Sequence, residues 1–220
     1  MPVWSKIICS PIIYLTVFYL FAASCNNNQR EKNLPILGNR VLSGENSSEK
    51  DTIYHTIADF KFLDQDSSTI THKDYQGKVY VADFFFTSCP TICPVMKSQM
   101  LRVYEKFKDN EEVMILSHTI DPEHDTIPLL KSYAERLGIS GPKWRFVTGN
   151  KDEIYDIGQG SYMVATAEDK LEPGGFIHSG AFILVDKDRR VRGIYDGTKE
   201  DQVDKLINDI PVLLQEYNNK

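Results

Sequence analysis

The chain has 220 residues, of which 41% are apolar and 25% charged, enough to bury one substantial core in a single domain. A formal net charge of −6 and a pI near 5.4, with no clustered run of Lys and Arg, argue against a nucleic-acid partner, because phosphate neutralisation needs a basic surface.

The first segment reads as a membrane-targeting signal. Lys6 precedes an almost uncharged run, Ile7 to Ala23, and small residues then lead into Cys25. Ala22-Ala23-Ser24-Cys25 is similar to a bacterial lipobox, whose cysteine is lipidated after cleavage, although Ala22 stands where Leu is usual. The alternative is an uncleaved anchor, since the run is close to the ~17–25 residues that span a bilayer. The expected division is a signal over 1–24, a polar tether over 25–50 with Pro35, Gly38 and Gly44, and a globular domain over 51–220 outside the cytoplasmic membrane.

Within the domain, 57–63 and 69–71 read as short strands around a DQDSS turn. The apolar run 78–86, KVYVADFFF, reads as a central strand buried on both faces. Val95, Met96, Met100, Val103, Tyr104 and Phe107 then recur with a helical period, predicting a helix over 91–108. A second buried strand over 113–120, the turn DPEHDT, and a helix over 127–137 stopping at Gly138 follow. Strand 144–147, a short helix near 151–158, and a loop, AEDKLEPGG, lead to a hairpin of 180–186 with 190–195 and a last helix over 199–217. This order is that of a thioredoxin-like α/β fold, a central mixed sheet with helices on both faces.

Cys9 and Cys25 belong to the N-terminal segment, so the domain keeps only Cys89 and Cys93, in FFFTSCPTICP. Two thiols in an oxidising compartment, with no disulfide framework around them, point to redox or metal chemistry. At a strand-to-helix turn Cys89 would meet unpaired helix amides that favour a thiolate, and Cys93 would follow one turn later on the same face. Soft thiolates select Cu(I), Zn or iron-sulfur clusters, but two sulfurs do not complete a shell. Of five histidines, His55 and His72 read as surface residues and His124 as solvent-exposed in its turn. His118 reads as a satisfied histidine at a strand end, and His178, in the GGFIHSG segment entering the hairpin, is open as a ligand.

FFFTSCPTICPVM, the later TIDPEHDT and a lone His178 before an apolar strand resemble the SCO/SenC proteins, over about residues 57–214. Those are thioredoxin-fold, membrane-tethered copper proteins that help build the CuA centre of cytochrome c oxidase. The resemblance implies one copper ion per chain held by Cys89, Cys93 and His178, cysteines that can also cycle to a disulfide, and an oxidase subunit carrying CuA as the partner. It implies a bacterial envelope location, with the domain on the outer side of the cytoplasmic membrane. The family often has Asp before the histidine; here that position is Ile177.

Asp83 stands in the apolar strand, where an unpaired carboxylate is costly. VADFFFTSC is similar to the thioredoxin strand whose buried aspartate serves proton transfer, so Asp83 is a candidate proton acceptor, against the alternative of a bond to backbone or to a nearby lysine. In the copper reading, Asp121 and Asp125 cap the following helix. The competing reading is a thiol-disulfide oxidoreductase in which Cys89 attacks and Cys93 resolves. A peroxidase fits less well, and a structural zinc site would want four ligands where three are in view.

Overall fold

The computed structural model describes residues 33–42, 52–169 and 175–218. Two short strands, β1 (Arg40–Leu42) and β2 (Thr52–Tyr54), pair antiparallel. The main sheet is built from β3 (Lys61–Asp64), β4 (Thr69–Thr71), β5 (Val79–Phe85), β6 (Val113–Thr119) and β7 (Trp144–Thr148), and two further strands. A small hairpin of β8 (Thr166–Glu168) and β9 (Phe176–His178) precedes those two, β10 (Ala181–Val185) and β11 (Val191–Asp196). The sheet order is β11-β10-β5-β6-β7-β3-β4, with β5, β6 and β7 parallel and the remaining neighbours antiparallel.

Every residue of β5 is buried, as its unbroken apolar run requires of a strand covered on both faces. Alternation along β5 sends Asp83 and Phe85 to one face and Phe84 to the other. On the first face lie α1 (Cys93–Phe107) and α2 (Ile127–Arg136): Lys97 of α1 reaches Asp83, and the Tyr133 ring of α2 stacks on Phe85 at 5.4 Å. On the second, α3 (Lys151–Asp156) continues into one π-helical turn, Ile157–Ser161, followed by Tyr162, whose ring meets Phe84 edge-on at 5.6 Å. The C-terminal helix α4 (Glu200–Asn218) is tied to α1 by an Arg102–Asp204 ion pair. Strand, helix, parallel strand and closing hairpin form the expected thioredoxin-like fold.

Three expectations change. Residues 57–60 are not in a strand; Ile57 is instead buried and its amide bonds the Arg189 carbonyl at 2.8 Å. The presumed loop over 167–175 is bordered by β8 and β9, which pair with Thr166 opposite His178. Part of the expected tether also packs on the domain. Leu34 is buried, its amide bonds Glu216 at 2.6 Å, and the buried Arg192 guanidinium donates to the carbonyls of Leu34 and Pro35. Among the described residues no helix is long and apolar enough to cross a membrane, and Cys25 lies outside them.

Candidate metal and thiol site

β5 delivers the chain to the site and a turn takes over. Phe86 is still buried, and the Cys89 amide closes back on the Phe86 carbonyl at 3.3 Å. The helix begins at Cys93, two residues later than its periodicity predicts, with Pro94 in its first turn and the helical Ile92 at its N-cap. Pro90 and Pro94 limit where a helix can start, since proline fits the first turn but disfavours helical geometry just before it. The cysteines therefore do not share a helix face. Cys89 lies in the turn and Cys93 opens α1, and the turn brings their sulfurs into hydrogen-bond contact.

Both are buried thiols with no disulfide between them. Their surroundings push them apart. Burial raises the Cys89 thiol, but the Thr91 amide, the Cys93 thiol and amide and the Thr91 hydroxyl, 3.7 Å away, outweigh it and leave Cys89 below the ordinary cysteine value. Burial dominates at Cys93 and pushes it up to about 12, with only partial relief from the Phe86 amide. One sulfur is poised to lose its proton; the other keeps it until a neighbour compensates.

The turn is held from behind by Asp125. This fully buried carboxylate accepts the Thr87 amide at 3.0 Å, the Thr87 hydroxyl, and the Thr119 hydroxyl at 2.5 Å. It does not cap α2, whose N-cap is Thr126 and carries no side-chain cap bond. Asp121 bonds within its own turn, accepting from the His124 amide at 3.4 Å. The DPEHDT segment thus fastens the cysteine turn to the end of β6, over a separation that periodicity does not register.

Asp83 has partners. Its carboxylate meets the Lys97 ammonium at 2.5 Å and accepts from the Ser117 hydroxyl, and all three residues are buried. Ser117 in turn accepts from the Trp144 indole at 2.9 Å, and Lys97 lies 4.2 Å from the Phe85 ring centre. Lys97 sits one turn after Cys93 on α1, so the ion pair lies directly beneath the second cysteine. The lysine alternative for Asp83 is the one observed. A lysine among Met96, Met100 and Val103 was the sequence signal for it.

The histidines divide differently from expectation. His118 is fully buried and among the described residues neither ring nitrogen has a hydrogen-bond partner, so it is not a satisfied strand-end histidine. It stacks on Phe84 at 4.9 Å among Phe60, Phe62 and Tyr162, and burial drives its pKa down to about 3. It faces away from Asp83 and the α1 side of the sheet. His55 is half-buried, its Nε2 2.8 Å from the Ser161 carbonyl, and His72 is half-buried beside Asp59, so neither is a plain surface residue; His124 is exposed. His178 is described by its backbone alone, in β9. The Phe176 ring of that strand packs on Phe86 at 5.0 Å, which brings β9 against the residue that leads into the cysteine turn. Among the described residues no group of three or more metal-ligating side chains assembles.

The family model described as SCO1/SenC matches residues 48–215. The SCO1 protein homolog of Bacillus subtilis is 33% identical over 163 residues, covering 73% of this chain and 84% of that protein. Among solved structures, BsSco, described as having a disulfide switch and as a member of the Sco family of cytochrome c oxidase assembly proteins, superposes with a TM-score of 0.64 at 32% identity. That match covers 72% of this chain and 93% of BsSco. Arabidopsis thaliana ScoI with copper bound superposes with a TM-score of 0.60 at 26% identity, covering 73% and 98% of the two chains. With the family model matching most of its length and this degree of identity to a relative, the chain belongs to the SCO1/SenC family.

Proposed function

We propose that this chain is a copper-binding assembly factor of cytochrome c oxidase, and that it takes one copper ion as cargo on Cys89, Cys93 and His178 to deliver it to, or maintain, the CuA centre of an oxidase subunit. The observation that carries the reading is the pair of reduced thiols in contact, one with a lowered and one with a raised pKa, in a member of this family. The donor set fits a soft ion: two sulfurs held by a fastened turn, with β9 alongside. A bound cation adds the positive charge that would let Cys93 release its proton despite its burial. The Lys97 ammonium, paired with Asp83, adds a positive charge near Cys93 that favours the same release. Cleavage after residue 24 and lipidation at Cys25 would hold the domain, from about residue 33, on the outer face of a bacterial cytoplasmic membrane.

Titration of Cu(I) and Cu(II) into the domain, as wild type and as His178→Ala, tests this. The expected result is one ion per chain, with His178→Ala markedly weaker. Absence of stoichiometric binding, or binding indifferent to His178, removes the cargo reading.

The thiol asymmetry also supports a second reading, thiol-disulfide exchange. Cys89 thiolate attacks a partner's disulfide, forming a mixed disulfide and releasing one partner thiolate; Cys93 then displaces the second. Two electrons pass to the partner, and Cys89 and Cys93 end as a disulfide. His178→Ala would leave this activity intact, so the same variant separates the two readings.

A further inference from the structure

Strand β9 has few supports of its own. Among the described residues its three residues pair only with β8, and Thr166 of β8 is the residue opposite His178. What fixes β8 is the π-helical turn Ile157–Ser161 on the far side of the sheet from α1. From that turn the Gln159 amide donates to the Thr166 carbonyl at 2.7 Å. The neighbouring Gly158 is tightly enclosed: a Cβ there would lie 3.0 Å from the Thr166 side chain and 3.2 Å from the Phe84 ring, so that either would have to give. The Val164 amide returns to the Gly158 carbonyl at 3.0 Å, and the Ser179 amide, just past His178, bonds the Ala165 carbonyl at 3.1 Å. One extra residue per turn, at a π turn, is the kind of local departure that re-aims the chain at functional sites.

We propose that Gln159 is a positioning residue for His178: it fixes the Thr166 carbonyl, and through it the register and depth at which β9 is presented to the cysteine turn. The inference rests on the reading of His178 as a copper ligand. Gln159 touches neither a donor atom nor His178; it acts one step further out than the direct partners of metal ligands, whose substitution typically costs about 10–100-fold in affinity, so the lower end of that range is expected.

Gln159→Glu keeps the shape and removes the donor, setting a carboxylate against a carbonyl oxygen. Hydrogen exchange on the metal-free domain and copper affinity, by competition with a chromophoric chelator, are compared for wild type, Gln159→Glu and Gly158→Ala. The expected result is faster exchange of the β8 and β9 amides in both variants, with β5 and α1 unchanged in Gln159→Glu, copper held about tenfold more weakly, and an altered thiolate-to-Cu(II) absorption band. Exchange unchanged in Gln159→Glu overturns the proposal, and so does copper held as tightly as by wild type. A wild-type domain that takes up no copper overturns the cargo reading together with it, whereas equal binding by wild type and Gln159→Glu overturns the positioning role alone.

Discussion

Asp83 and Phe84 are neighbours on β5, and their two sides of the sheet treat buried polar groups in opposite ways. On the Asp83 side a carboxylate, an ammonium, a hydroxyl and an indole satisfy one another. On the Phe84 side the His118 imidazole is enclosed by Phe60, Phe62, Phe84 and Tyr162 with both nitrogens unpartnered. The cysteine turn belongs to the first side. On the first side the buried polar groups are paired with one another; on the second the imidazole is enclosed by rings, and burial penalises its charged form.

The contrast should be largest in acid. An unfolded chain protonates His118 near pH 6.5, whereas the folded chain resists until about pH 3, so between those values the unfolded state binds more protons. Stability contributed by the neutral ring is fully present above 6.5 and is lost as pH falls toward 3, to a total of roughly 4–5 kcal/mol. Urea unfolding from pH 7 to 4 should show this slope in wild type and a clearly shallower one in His118→Phe; equal slopes would mean that the ring has found a partner. On the opposite side Lys97→Met strands the Asp83 carboxylate and should cost about 3–5 kcal/mol at pH 7, while Asp83→Leu with Lys97→Met recovers most of it. If the single and double variants unfold alike, the pair is not acting as one unit.

Next in size is Asp125→Asn. The asparagine keeps one acceptor oxygen and adds an NH2 facing the Thr87 amide, so a loss of about 1–3 kcal/mol is expected by thermal or urea unfolding. Because Asp125 fastens the turn and Asp83 does not, alkylation of Cys89 should also quicken in Asp125→Asn. An unchanged alkylation rate would uncouple the turn from DPEHDT.

The β5-α1-β6 unit was legible because its signals are local: an unbroken apolar run, a helical period, a second apolar run. The cysteine pair stood out by subtraction, and His178 by the motif it shares with the family. What the sequence hid is long-range. Asp125 reads as a helix cap because it precedes a helix, but its partner Thr87 is 38 positions away. Strands of three residues beside Pro173, Gly174 and Gly175 have no period to detect, so β8 and β9 read as loop. The lysine that could pair with Asp83 is left unnamed until Lys97 is seen opposite it, and nothing in SHTIDP says that His118 lacks a partner.

The smallest test is also the most selective. Ser117 is where the satisfied side is joined, since its hydroxyl donates to Asp83 while accepting from Trp144, with Lys97 at 3.3 Å. Ser117→Ala removes one oxygen and leaves the Asp83–Lys97 pair in place, but the Trp144 indole N–H loses its acceptor in a fully buried position. Removing one partner so that a buried donor is stranded costs about 1–3 kcal/mol, less than breaking the ion pair. Adding Trp144→Phe removes the stranded donor, so the double variant should cost little more than Trp144→Phe alone in urea unfolding. If Ser117→Ala proves as damaging as Lys97→Met, the hydroxyl matters to the Asp83 carboxylate as much as the ammonium does, and the two sides of β5 differ less than their contacts imply.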